Sequence, residues 1–159
     1  MSLFATNVIL AVFWAALAGR ATLGALLTGF ALGFLVLWVL HPLVGGPRGY
    51  FLRVVYGLRL AAMFLWELLV SSLHVAWDVL TPEHRARPAF VEVPLDVRSD
   101  LGLLLLTNLI SLTPGSLSLD VSADRRTLLV HAMFAPDPEK VRRQIKGGME
   151  RWVREALGE

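Results

Sequence analysis

The sequence predicts a membrane α-helical N-terminal part followed by a small α+β domain. The first part holds two spans plus a third membrane-embedded or interfacial helix; the domain runs strand, helix, hairpin, helix. Three observations carry this reading. Hydrophobic residues make up 55% of the 159 residues and mean hydropathy is +0.60, above the ~45–50% apolar content usual in soluble domains. Charge is segregated: no acid precedes Glu67, Arg20 is the only base before Arg48, and 11 of the 13 acids lie beyond Asp78. Beyond Pro88 the hydrophobic period changes from helical to alternating. The expected division is therefore membrane-associated helices over 1–80, a linker over 81–88 and a domain over 89–159.

Leu3 to Ala18 is apolar apart from Thr6 and Asn7 and ends at Gly19-Arg20. As a helix it reaches about 24 Å, a little short of a ~30 Å hydrocarbon core. A signal peptide would need a basic leading region, which does not precede it. Ala21 to Leu40 is uncharged and long enough to span, so the two segments predict a hairpin turning at Gly19-Arg20. Ala21, Ala25, Gly29 and Gly33 place a small residue at every fourth position of the second helix. Such a face lets another backbone approach closely in lipid. Its partner is either another subunit or this chain's own first helix.

His41 to Gly49, rich in Pro and Gly, is expected to break the helix. Tyr50 to Leu80 then resumes without proline, and Glu67, Ser71, His74 and Asp78 recur at helical spacing as one polar stripe. Two readings stay open. The helix is buried in the bilayer with its stripe turned to protein, or it lies on the surface as an amphipathic helix. An ionisable residue within a membrane is a candidate functional site. The alternative role for the stripe is to hold this helix to a neighbour.

In the domain, Val91, Val93, Leu95 and Val97 alternate with polar residues, and Pro94 marks an edge strand. Ser99 is placed to cap a helix beginning at Asp100. The apolar run from Leu101 to Leu112 reaches only about 18 Å, too short to span. Thr113-Pro114-Gly115 stops it with a tight turn. Leu117, Leu119 and Val121 alternate with Ser116, Ser118 and Asp120 as a half-buried strand, and Thr127 to Phe134 is the return strand. Pro138 opens a last helix with Val141, Ile145, Met149, Trp152 and Ala156 on its apolar face. Arg142, Arg143 and Lys146 on its basic face are candidates for contact with lipid headgroups, or form an ordinary solvated face.

The chain has no cysteine, which excludes disulfides and thiolate chemistry. Its four histidines match no metal-binding spacing, and no nucleophile elbow, phosphate loop or dinucleotide fingerprint occurs. No catalytic residue, metal site or cofactor is expected. Its basic balance accompanies no nucleic-acid-binding motif.

The segment from Thr107 to Phe134, with its Leu-Thr-Pro-Gly turn and the Val130-His131-Ala132 return strand, resembles the E subunits of multisubunit Mrp/Mnh-type (Pha-type) cation/proton antiporters. The resemblance extends over His41–Leu80 and nearly the whole chain. It implies a small accessory subunit of a hetero-oligomeric pump in the bacterial inner membrane, exchanging Na+ or K+ for protons, with ion pathways mainly in larger subunits. The partners implied are the other subunits and membrane lipids. A stand-alone membrane-tethered binding module is the alternative. The basic residues Arg85, Arg87 and Arg98 favour a cytoplasmic C-terminal domain.

Overall fold

The computed structural model describes residues 2–44, 49–82 and 86–159. His84 and Arg85, with part of the expected linker and of the His41–Gly49 break, lie outside the described residues. The chain divides into two compact units, Met1–Val54 and Val55–Glu159. This division falls earlier than the linker expected at 81–88, because most of the long third helix groups with the α+β domain: its Leu60 packs on the domain core.

In the first unit, α1 (Leu3–Leu17) and α2 (Leu23–Val44) form an antiparallel hairpin. The Ser2 side chain caps α1 by accepting the Ala5 N–H, and Thr22 accepts the Ala25 N–H at the start of α2. Gly19, at φ +61°, takes the left-handed conformation that ends α1. The break expected from His41 is delayed: α2 continues through Pro42 to Val44. Proline in the last turn forfeits one backbone bond and leaves the helix behind it intact. Tyr50 and Phe51, at the start of α3 (Gly49–Leu80), pack with Phe34 at ring separations of 6.0 and 5.3 Å.

In the second unit, β1 (Ala89–Pro94), β2 (Ser116–Val121) and β3 (Thr127–Ala132) form an antiparallel sheet of order β1-β3-β2. Pro94 therefore sits on an edge strand. β1 is shorter than its apolar alternation: Leu95 leaves the strand but still donates to the Arg126 carbonyl at 2.7 Å, and Val97 enters the core. α4 (Asp100–Leu112) begins with the Ser99 side chain accepting the Gly102 N–H. The core joins Val91, Val93, Leu106, Ile110, Leu128, Val130 and Val153, all at most 1% exposed.

Two expectations are corrected here. In β2 the faces are reversed up to a bulge after Ser118: Ser116 and Ser118 point toward the domain and Leu117 and Leu119 are exposed, while Val121 beyond the bulge packs on the core as expected. The reason is hydrogen-bond demand at the end of α4. The Ser116 hydroxyl donates to the Ile110 carbonyl at 2.6 Å, and Ser118 donates to that of Thr107 at 3.1 Å. Unpaired, such carbonyls are costly inside a domain. The final helix also departs from a plain 3.6 period. Between α5 (Pro138–Ile145) and α6 (Arg151–Leu157) lies one π turn, Lys146–Glu150. A π turn inserts an extra residue and rotates the helix beyond it. Val153 is consequently fully buried, Glu150 faces inward, and Trp152 and Ala156 are only half-buried.

Candidate functional site

Within the second unit a cavity of 720 Å³ opens between α3 and the α+β domain. Glu67, Ser71 and His74 line it from α3, Thr113, Pro114 and Gly115 from the α4–β2 turn, and Lys140 and Arg143 from α5. Three members of the polar stripe and all of the turn motif thus share one site. Asp78, the fourth stripe residue, is buried and does not line it.

The turn is rigidly built. Thr113 donates its hydroxyl to the Leu109 carbonyl at 2.8 Å and closes α4 in extended geometry. That geometry follows from the proline after it. Gly115 sits at φ +87°, where a side chain is strained, and its carbonyl accepts the Met133 N–H at 2.7 Å. On the opposite wall, the Asp137 carboxylate caps α5 by accepting the Glu139 and Lys140 N–H groups. Arg143 reaches the same carboxylate at 3.8 Å.

The chemistry available is that of a mixed-sign, water-accessible cleft. Carboxylate, imidazole, ammonium and guanidinium groups surround it, and no cluster of three or more metal-ligating side chains occurs among the described residues. Such a cleft can hold α3 to the domain through polar contacts.

The other basic candidates are occupied elsewhere. Arg142 donates to the Glu92 carbonyl at 2.7 Å and pairs with Glu139. Lys146 donates to the Pro94 carbonyl and pairs with Asp96 at 2.6 Å and Glu150 at 2.8 Å. Both side chains, expected at lipid headgroups or in solvent, tie the last helix to β1 and the segment after it. Burial pulls the Lys146 ammonium down, but hydrogen bonds to Asp96 and Glu150 outweigh it and raise the group above its ordinary value.

The small-residue face lies in the first unit. A Cβ on Gly33 would stand 2.2 Å from Asn7 Oδ1, and one on Gly29 would stand 2.8 Å from Trp14 Cβ and 2.9 Å from the Ala11 carbonyl oxygen. Both glycines therefore face α1 of the same chain. Ala25 is half-buried, and Ala21 is exposed before α2 begins.

Comparison with known proteins gives the family. A family model described as Na+/H+ ion antiporter subunit matches residues 7–156. The chain belongs to this family of antiporter subunits. It is 37% identical over 149 residues to the E1 subunit of the Na(+)/H(+) antiporter of Staphylococcus haemolyticus, covering 94% of this chain and 93% of that one. It is 33% identical over 150 residues to the Na(+)/H(+) antiporter E subunit of Alkalihalophilus pseudofirmus, covering 94% of each. Among solved structures, it resembles a chain of the Mrp complex from a Dietzia species, with 30% identity, a TM-score of 0.51, and coverage of 67% of this chain and 96% of that one. A chain of an archaeal membrane-bound sulfane sulfur reductase shares the fold at a TM-score of 0.53 and 22% identity, covering 96% of each. The resemblance read from the turn and return strand is thereby borne out.

Within this family frame, two residues matter that sequence reasoning passed over. Glu150, an acid of the last helix, is 1% exposed and accepts the backbone N–H groups of Asp96 at 2.5 Å and Val97 at 3.1 Å. Its spacing from Lys146 was the available signal. Asn7 read only as an exception in an apolar helix; it is fully buried and donates to the Tyr50 hydroxyl at 2.8 Å. A lone amide in a membrane helix is itself a signal of a polar partner.

Proposed function

We propose that this chain is an accessory integral-membrane subunit of a multisubunit monovalent cation/proton antiporter, exchanging Na+ or K+, and that its role is assembly and stability of the complex. The observation that carries this is the direction of the polar stripe. Glu67, Ser71 and His74 line a cleft closed on its other side by the chain's own turn and last helix. A group that conducts ions would instead need a continuous polar route. The relatives' printed names, the Mrp complex among the solved neighbours, and a match over residues 7–156 support membership of such a complex. The other subunits are its partners. The chain is multi-pass, with residues 1–80 in or on the bacterial inner membrane and the 89–159 domain in the cytoplasm, in keeping with its Arg and Lys content.

The test is deletion and return. Membranes from a strain lacking this chain are compared with membranes given it back, scoring co-purification of the remaining subunits and cation-dependent proton exchange. Loss of both on deletion supports an assembly role. A complex that assembles fully yet exchanges nothing would assign the chain to transport itself.

A further inference from the structure

α3 is 32 residues long and, by length and composition, apolar enough to cross a membrane. Its surroundings say otherwise. Between Arg59 and His74 one side of the helix faces the α+β domain and meets it at several points. Arg59 pairs with Glu155 at 3.3 Å, Leu60 packs on the core, and Glu67, Ser71 and His74 face the cleft with Lys140 and Arg143. With these contacts kept, the helix cannot cross the hydrocarbon core without carrying the charged groups in beside it, where they are costly.

The opposite side is apolar apart from Ser72, whose hydroxyl donates to the Leu68 carbonyl of the same helix. Leu58, Leu65, Trp66, Leu69, Leu73 and Trp77 recur at helical spacing on the face away from Leu60 and Glu67, and each is more than half exposed. We infer that from Val55 to Leu80 α3 lies in the plane of the membrane surface, its Leu/Trp face sunk at the headgroup–acyl boundary and its polar face carrying the domain. Resting on the membrane-subunit reading above, this makes lipid, not a span, the occupant of that face.

Three features favour lipid. Only four residues separate the end of α2 from the start of α3, so that start is tethered to a membrane-crossing helix by at most about 17 Å of chain. Tryptophan prefers the interface, where Trp66 and Trp77 would lie. Finally, a helix with one polar and one apolar side is the form that lies on a bilayer. With α1 and α2 as the crossing pair, the N-terminus and the domain fall on the same side.

The chain contains no cysteine, so single cysteines report cleanly. Spin labels at Leu58→Cys, Leu65→Cys, Leu69→Cys and Leu73→Cys are read in the whole complex, in phosphatidylethanolamine–phosphatidylglycerol vesicles, by oxygen and nickel-chelate collision. The expected result is one common depth, about 5–10 Å below the headgroups. Ser2→Cys and Asp124→Cys should react with an impermeant reagent from the same side. Depth rising steadily from 58 to 73, or opposite-side labelling, overturns the inference as a span. Labels that meet neither collider overturn it as a protein interface. Should the labelled chain be missing from the purified complex, the subunit reading fails, and the same depth profile on the isolated chain in those vesicles still decides the orientation of α3.

Discussion

The Lys146 ammonium lies 2.8 Å from the Glu150 carboxylate across the π turn, and the carboxylate is almost fully buried. Its second oxygen accepts the N–H groups of Asp96 and Val97 just beyond β1. One acid thus joins the last helix to the start of the segment leading into α4. Glu150→Ala strands two backbone donors and an ammonium, and is expected to cost about 3–5 kcal/mol. Glu150→Gln keeps an acceptor and should cost less, about 1–2 kcal/mol. Urea denaturation of the purified subunit, followed by protease sensitivity of the domain, measures both. Equal midpoints for Glu150→Ala and wild type would contradict the assigned role.

The same cluster sets a pH window. The hydrogen bond from Lys146, reinforced by its charge, holds the Asp96 carboxyl below its usual range. The Arg98 backbone N–H, with the Ser99 hydroxyl, does the same for Glu159. Depressed carboxylates contribute stability above their unfolded values, lost as pH falls through the folded ones. Lys146 is raised, so its contribution is present below its unfolded value and is lost as pH rises through the folded one. Urea midpoints should therefore be flat between roughly pH 5 and pH 10 and fall on either side. Both carboxylates are exposed, so the acid limb is shallow. Lys146→Met should lower the plateau and flatten the alkaline limb; an alkaline limb unchanged in that variant would exclude Lys146 as its source.

Gly115 is expected to matter through conformation and not through space. Its φ is +87°, yet a Cβ would meet the Phe134 ring at 3.5 Å and Met133 Cβ at 3.7 Å, both ordinary contacts. Gly115→Val should destabilise the domain by about 1–2 kcal/mol, and Gly115→Asn, which tolerates the left-handed region, by less. Equal losses for the two in a thermal melt would point to crowding instead.

Sequence pattern made the order of elements legible because the code for it is local. The Ser99 cap, the Pro114-Gly115 stop and the helix-length limit on Leu101–Leu112 each depend on neighbours within a few positions. What it hid depends on tertiary demand. Ser116 and Ser118 turned inward to satisfy α4 carbonyls that no alternation rule can see. Glu150 turned inward because two glycines, Gly147 and Gly148, fall within a π turn that shifts the phase of the helix. The polar stripe of α3 was visible as a stripe, but the side of the cleft it faces was not.

The α1–α2 seam separates backbone crowding from side-chain crowding. Gly29→Ala meets Trp14 Cβ at 2.8 Å and the Ala11 carbonyl oxygen at 2.9 Å, atoms that only a backbone shift can move, whereas Gly33→Ala meets the Asn7 amide oxygen at 2.2 Å. Asn7→Ala removes that oxygen, though it also loses the bond to Tyr50. Asn7→Ala combined with Gly33→Ala should be more stable than the sum of the single losses by about 1 kcal/mol or more. Asn7→Ala combined with Gly29→Ala should be additive within about 0.5 kcal/mol. Thermal aggregation midpoints of the detergent-purified subunit test this; additivity at Gly33 would mean the hairpin yields there by moving its backbone.

Glu67 gives the sharpest test of the assembly reading. It lines the cleft with His74 on one side and Lys140 and Arg143 on the other, so under the assembly reading its carboxylate helps to hold α3 against the domain. Glu67→Gln removes the charge but retains size and hydrogen-bonding capacity, and should leave both co-purification and cation-dependent proton exchange within about threefold of wild type, a change of less than ~0.7 kcal/mol. Glu67→Ala withdraws the polar reach across the cleft and should lower the yield of complex, with exchange falling only in proportion to the complex present. His74→Ala should behave like Glu67→Ala but more weakly, because His74 is the more exposed of the two. Normal yield with abolished exchange in Glu67→Gln would make the carboxylate a proton-handling group and overturn the assembly role assigned to the stripe.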